Sequence, residues 1–281
     1  MKRTALLVLA GAAAVLALGA VDGRSAARRQ DTSFVSASIG GRLHFEVYLP
    51  AGYAGSRVSY PVIYALHGLP SGPSAYTGLG FVERALDALG RPAILVVPQA
   101  ARAGDSDPEY LDRGPHEGWQ TAIASELPRV VDARYRTIRS RSGRALIGIS
   151  AGGYGAMHLA LLHLDEFAVV ESWSGYFHPT DPTGTKPLEL GSPDRDLAAD
   201  VHHLVATLSS KLQAAPTFIA FYVGRSDRRF SAENEMLNQE LSAAGVAHVF
   251  RAYPGGHDQQ LWQRYAGPWL ELALMHLASA H

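Results

Sequence analysis

One stretch constrains this chain more than any other: Arg144-Ala-Leu-Ile-Gly-Ile-Ser-Ala-Gly-Gly-Tyr-Gly-Ala-Met157. Its first half, Ala145 to Ile149, is a short apolar run that reads as a buried strand. Its second half, Ala151 to Leu164, reads as a helix. Between them Gly148-Ile149-Ser150-Ala151-Gly152 matches G-x-S-x-G. A chain that turns straight from strand into helix forces the central residue into a strained backbone conformation and exposes its side chain. Glycines two positions before and two after let the neighbouring backbones approach without clashing Cβ atoms. The helix then aims its free N–H groups and its dipole at the serine, which favours negative charge there. Ser150 is therefore a candidate nucleophile on an α/β sheet.

The remaining patterns fit such a sheet. Apolar strand-like runs at Val62–Leu66, Ala93–Val97, Val169–Val170, Phe218–Val223 and Val246–Tyr253 alternate with helical patterns at Phe81–Leu89, Trp119–Arg134, Leu197–Leu212, Phe230–Ala243 and Gln259–Leu277. That alternation predicts a mostly parallel sheet covered on both faces. Phe34–Ile39 and Leu43–Leu49, joined by Gly40-Gly41, predict an antiparallel hairpin at the start. Pro128 predicts a kink or split in its helix. The stretch from about 176 to 215 reads as an insertion lying over the site as a lid or wall. With 281 residues and 47% hydrophobic content, residues 31–281 can form one large catalytic domain.

A serine hydroxyl needs a base, and the base needs an orienting carboxylate. In this architecture the chain order is Ser, acid, His. Phe218–Val223 ends in Gly224-Arg-Ser-Asp227, and Val246–Tyr253 ends in Pro254-Gly-Gly-His257. Asp227 and His257 thus fall at the carboxyl ends of adjacent strands, on the same sheet edge as Ser150. Asp194, Asp196 and Asp200 are competing acids in the presumed lid, whereas Asp258 reads as a helix cap. The loop His67-Gly68-Leu69-Pro70 follows an early strand, where a second oxyanion donor is placed, so the backbone amides of Leu69 and Ala151 are the expected pair. His67, Trp119, Trp173 and Tyr176 are candidate substrate contacts.

Other classes are excluded or unsupported. A net charge of −1 gives no electrostatic case for nucleic acid. The chain has no cysteine, which removes disulfides, thiolate catalysis and cysteine-bound zinc. His202-His203 are adjacent on a helix, where they do not face one metal, and are expected on a solvated face. No metal or cofactor is expected. Lys2 and Arg3 precede the uncharged run 5–21, the layout of a secretory signal. The expectation is export, with residues 1–30 as a cleaved signal or an envelope anchor plus an arginine spacer.

With these motifs quoted, the chain resembles the putative-esterase family of the α/β-hydrolase superfamily, over roughly residues 35–278. The resemblance rests on Tyr64-Ala-Leu-His-Gly-Leu69, Gly148-Ile-Ser-Ala-Gly-Gly153, Ser172-Trp-Ser-Gly175, Gly224-Arg-Ser-Asp227 and Gly255-Gly-His257. That family includes esterase D (S-formylglutathione hydrolase), feruloyl and acetyl-xylan esterase domains, and secreted mycolyltransferases. It implies Ser150, Asp227 and His257 as a catalytic triad, with the Leu69 and Ala151 amides as oxyanion hole. Mycolyltransferases commonly carry Glu where this chain has Asp227 and Asp where it has His67. Those departures favour a plain carboxylesterase on small-molecule, glycan or lipid esters. An acyltransferase building envelope lipids or glycans, and an inactive glycan-binding relative, are the other readings.

Overall fold

The computed structural model describes residues 28–105, 107–181 and 186–281. The expected signal or anchor lies almost wholly in residues 1–27, outside the described residues. Eight strands, β1 (Arg28–Ser36), β2 (Gly41–Leu49), β3 (Val62–Leu66), β4 (Ile94–Pro98), β5 (Arg144–Ile149), β6 (Val169–Trp173), β7 (Phe218–Gly224) and β8 (His248–Tyr253), form one sheet. Its order is β1-β2-β4-β3-β5-β6-β7-β8. β2 pairs antiparallel with both β1 and β4, and every pairing from β4 to β8 is parallel. This is the mostly parallel sheet that the alternation of strands and helices predicts, and the α/β-hydrolase arrangement that the family resemblance implies.

The hairpin starts earlier than expected. Arg28 already pairs with Leu49, so Arg28, Arg29 and Gln30 belong to the sheet rather than to a spacer. Arg29 is tied there by an ion pair to Glu46 and by its position over the Tyr48 ring, 5.4 Å away.

Helices α1 (Gly80–Leu89), α2 (Trp119–Thr121), α3 (Leu127–Arg134), α4 (Ala151–Leu162), α5 (Pro193–Ala199), α6 (Val201–Ala214), α7 (Ser231–Ala243) and α8 (Gln259–His276) cover the sheet. Strand side chains alternate between its two faces. Tyr64, Leu146, Val170 and Phe221 join one core with Tyr154, Met157 and Leu161 of α4. Ile63, Ala145, Ile147 and Tyr222 join the other with Val82 and Leu86 of α1 and Trp269 and Leu270 of α8. β3 to β6 are buried along their whole length between two helical layers, even where β5 and β6 carry Arg144, Glu171 and Ser172. α4 is apolar all round and buried from Ala151 to Leu161, because α6 covers the side that the sheet does not.

Two helices depart from the expected pattern. Between α2 and α3 the chain widens into a π-turn over Ala122–Glu126, just before Pro128. Proline has no N–H and its ring crowds the carbonyl four residues back, so a widened turn absorbs it without breaking the helix. The helix expected over 197–212 is two helices. Asp200 is extended (φ −85°, ψ 115°), and its carboxylate accepts the amides of His202 and His203 to start α6. Among the described residues no helix is long and apolar enough to cross a membrane.

Candidate active site

Ser150 sits between β5 and α4 at φ 55°, ψ −119°, a region costly for any residue with a Cβ. Three backbone segments converge on it. A Cβ at Gly148 would lie 1.9 Å from the Gly152 carbonyl oxygen, and one at Gly152 would lie 2.2 Å from that of Leu66. Backbone hydrogen bonds fix the turn: Ser150 N donates to Trp173 O (3.0 Å), and Ser150 O accepts from Gly153 N (2.8 Å) and Tyr154 N (3.0 Å). Gly152→Ala is therefore expected to displace β3 from α4 and to cost about 3 kcal/mol or more of stability, at the overpacked end of the usual range. Chemical denaturation should register it as a lower midpoint. An unchanged midpoint would mean that the turn is looser than its contacts imply.

The two late loops bring their side chains to this serine. His257 Nε2 is 2.9 Å from Ser150 Oγ, and His257 Nδ1 is 2.7 Å from Asp227 Oδ2. An ionised Asp227 only accepts, so Nδ1 carries the proton and Nε2 is left to accept from the hydroxyl. Asp227 is 3% exposed. Burial pushes its carboxyl up, but the hydrogen bond and charge of His257, the Arg229 amide and the Arg229 guanidinium outweigh that and hold it below the ordinary value. The loops carrying the pair are locked together: Ser226 N donates to Gly255 O (2.9 Å), and a Cβ at Gly224 would lie 2.5 Å from the carbonyls of Gly255 and Gly256. Asp258 caps α8 through Leu261 N (2.9 Å), as the sequence suggests, and takes no part in the chain.

On the other side of the serine, the loop after β3 runs close enough that a Cβ at Gly68 would meet Ser150 Cβ at 3.1 Å. Leu69 follows directly, and Ala151 is the first residue of α4, whose own amide has no acceptor one turn back within the helix. His67 is buried, and desolvation lowers its pKa, so it is neutral; its Nδ1–H donates to Gly68 O at 2.9 Å. Tyr110 O–H donates to His67 O at 2.6 Å.

Behind this loop lies a group that sequence reasoning missed. Both oxygens of the buried Glu109 are 2.7 Å from Tyr176 Oη. Burial first, and then the charge of Asp107, raise the Glu109 carboxyl well above its ordinary value. Asp107, Glu109 and Tyr110 all have positive φ (31°, 52° and 59°), an unusual run for residues with side chains. In sequence the 99–118 segment is only a loop rich in Asp, Gly and Pro, and nothing in it signals a buried carboxyl.

A cavity of about 730 Å³ opens over Ser150 and His257. Of the candidate substrate contacts, His67 and Tyr176 line it. Trp119 and Trp173 do not: each is at most 1% exposed and built into the core, Trp173 on the α8 side of the sheet with its indole N–H donating to Glu171 (3.0 Å). Phe230 and Trp262, not singled out from sequence, do line it. Both rings meet the His257 imidazole edge to face at 5.2 Å, and Trp262 is held by a 3.0 Å hydrogen bond to Ser174 Oγ. Among the described residues no group of three or more His, Asp or Glu side chains is placed to hold a metal ion.

The sequence matches the family model described as putative esterase over residues 36–265. The chain belongs to the putative esterase family. It is 35% identical over 143 residues to an esterase of Mycobacterium tuberculosis, which covers 50% of this chain and 31% of that relative. It is 30% identical over 129 residues to the MPT51/MPB51 antigen of the same organism, covering 46% of this chain and 42% of the antigen. The matches thus span less than half the length of these curated relatives. Among solved structures, a ferulic acid esterase superposes with a TM-score of 0.74 at 22% identity, covering 89% of this chain and 99% of that one. An S-formylglutathione hydrolase from Agrobacterium tumefaciens gives 0.74 at 19% identity, covering 90% and 96%. These structural likenesses establish the shared fold.

In this member of the esterase family, the wall beside the cavity is pinned by a His–Glu cluster. Glu233 of α7 accepts from Phe177 N (2.7 Å) and His178 Nδ1 (2.6 Å) and lies 3.4 Å from His202 Nε2. His202 also contacts Glu240 at 2.5 Å. Its side chain is only 12% exposed, so the solvated face expected for His202 is instead a packed one. Burial raises the Glu233 pKa, but hydrogen bonds from His178 and His202 outweigh it and bring the carboxyl down to about 2. The His178 pKa is raised, chiefly by Glu233. That of His202 is raised too, Glu233 and Glu240 outweighing desolvation. The sign follows from linkage. The histidines stabilise fully below their ordinary 6.5 and lose that contribution as pH rises through their raised values. Glu233 contributes fully above its ordinary 4.5 and loses it as pH falls through about 2. Asp200 adds to the field at His178. The melting-temperature gap between the parent chain and Glu233→Gln should therefore be widest between about pH 4.5 and 6.5 and shrink by pH 9. A gap constant from pH 5 to 9 would mean that the cluster is not held by charge.

Proposed function

We propose that this chain is an exported serine carboxylesterase with Ser150, His257 and Asp227 as its triad. The observation that carries the reading is the unbroken hydrogen-bond chain from Ser150 Oγ through His257 to Asp227 at the floor of the cavity. The Ser150 hydroxyl attacks an ester carbonyl while His257 Nε2 takes its proton. The amides of Leu69 and Ala151 hold the oxyanion; fixed before reaction, they need no reorganisation. His257 then gives the proton to the departing alcohol oxygen, leaving an acyl group on Ser150. Water, deprotonated by the same imidazole, resolves the acyl-enzyme to acid and free serine. Asp227 orients the ring and stabilises its charged form. The uncharged run behind Lys2 and Arg3 supports export.

A second reading keeps the same acyl-enzyme and replaces water by an acceptor alcohol. It draws support from a 33% identity over 76 residues to a diacylglycerol acyltransferase/mycolyltransferase of Mycobacterium leprae, covering 27% of this chain and 22% of that relative. Cleavage of p-nitrophenyl esters of graded chain length, with and without a sugar acceptor, separates the two. Hydrolysis unaffected by acceptor is expected. Acylated sugar at the expense of free acid would favour transfer. Failure of Ser150 to take a fluorophosphonate label would sink both.

A further inference from the structure

Apart from its influence on Asp227, Arg229 has no role in the reaction as described, yet it stands in the cavity wall. The wall residues come from two sets of segments. Those between 68 and 81 are apolar where they carry side chains: Leu69, Pro70, Ala75, Leu79 and Phe81. The later segments that share the wall with His257 bring the polar groups of Thr180, Arg229 and Gln259 together with the rings of Phe230 and Trp262. Among the described residues Arg229 is the one permanently charged side chain lining the cavity.

Its guanidinium is positioned but not consumed. It lies over the Phe230 ring, 4.9 Å from the centroid. Its nearest carboxylate oxygen, Asp227 Oδ1, is 4.0 Å from Nε, beyond hydrogen-bond reach, and that oxygen already accepts the Arg229 amide. Among the described residues no hydrogen bond engages its N–H groups. The side chain is 41% exposed. Arg225 and Arg228 are exposed on the same loop.

Chemistry says which part of a substrate meets this cation. The leaving oxygen must reach His257 Nε2 to be protonated. The departing alcohol therefore lies on the His257 side, beside residues 229, 230, 259 and 262, and the acyl group is left to the apolar segments. A guanidinium offers a fork of donors suited to carboxylate or phosphate oxygens. We propose that Arg229 is a specificity determinant that selects esters whose alcohol portion carries an anionic group, a carboxylate or a phosphate. This rests on the hydrolase reading above and narrows its substrate class.

The test uses the full chain and three aryl acetates whose leaving phenol is neutral, carries a carboxylate or carries a phosphate monoester. Each kcat/KM is measured for the parent chain, Arg229→Gln and Arg229→Lys. Arg229→Gln should lower the anionic-to-neutral ratio of kcat/KM about tenfold, mostly through KM, as loss of one charge-assisted contact does. Arg229→Lys should keep part of the preference, and added salt should erode it in the parent. The two anionic arms tell carboxylate from phosphate by which ratio falls further. An unchanged ratio in Arg229→Gln, or an equal loss on all three esters, overturns the proposal; equal loss would mean that Arg229 acts only through Asp227. Failure of the folded parent chain to cleave any of the three would strike the hydrolase reading itself.

Discussion

Ser150→Ala is expected to abolish ester cleavage while leaving the fold in place, with turnover falling by about 10⁴ to 10⁶. The size follows from the acyl-enzyme. Without the Oγ there is no group to carry the acyl chain, and what remains is binding and the polarising effect of the two amides. Stability should change little. The hydroxyl bonds only to His257 among the described residues, and alanine meets the same backbone strain at φ 55° that serine does. The paired measurement is p-nitrophenyl acetate hydrolysis and a thermal melt on both proteins. Residual activity above about one per cent, with the melt unchanged, would rule out this nucleophile.

Asp227→Asn is expected to cost about 10⁴ in turnover. The argument is one of tautomers. Asp227 accepts from Nδ1, which leaves Nε2 bare to take the serine proton. An amide that donates to Nδ1 would put the ring proton on Nε2, facing a hydroxyl that then has no base. The held-down carboxyl has a further consequence. Its stabilising interaction with His257 is complete above its ordinary 3.8 and lost only as pH falls through its lowered value. Asp227 should therefore add no loss of activity between pH 5 and 8. A near-normal rate in Asp227→Asn would mean that His257 keeps a bare Nε2 without a carboxylate at Nδ1, since Asp196 and Asp200 are held by the amides of Leu190 and of His202 and His203.

What the sequence discloses is whatever the local backbone dictates. Ser150 follows directly on β5, and Asp227 and His257 lie three and four residues past the ends of β7 and β8; a parallel sheet brings such positions to one edge, so their meeting was legible from order and spacing alone. Strand direction was legible for the same reason. Side-chain heading was not. Trp173 occupies the end of β6, next to the site in sequence, but the pleat turns it into the core on the α8 side. Trp262 lies five residues past His257, and only the helical turn of α8 brings its ring back to the imidazole. Asp200 splits a pattern that reads as one helix, because a carboxylate capping two amides competes with continuing the helix. The Glu109–Tyr176 contact joins segments far apart in the chain, and no periodicity reports such a pairing.

The bare-backbone contacts among Leu66, Gly68, Gly148 and Gly152 divide the molecule's labour. The positions of the proposed nucleophile and of the two proposed oxyanion amides are set by backbone contacts, whereas the cavity wall is made of side chains on separate segments. Variation at 69, 79, 180 and 259, which the triad side chains do not lean on, can thus redraw what is accepted without disturbing how it is attacked. A library randomised at those four positions should be rich in folded, acylatable variants of altered preference, and one aimed at the glycines should yield almost none.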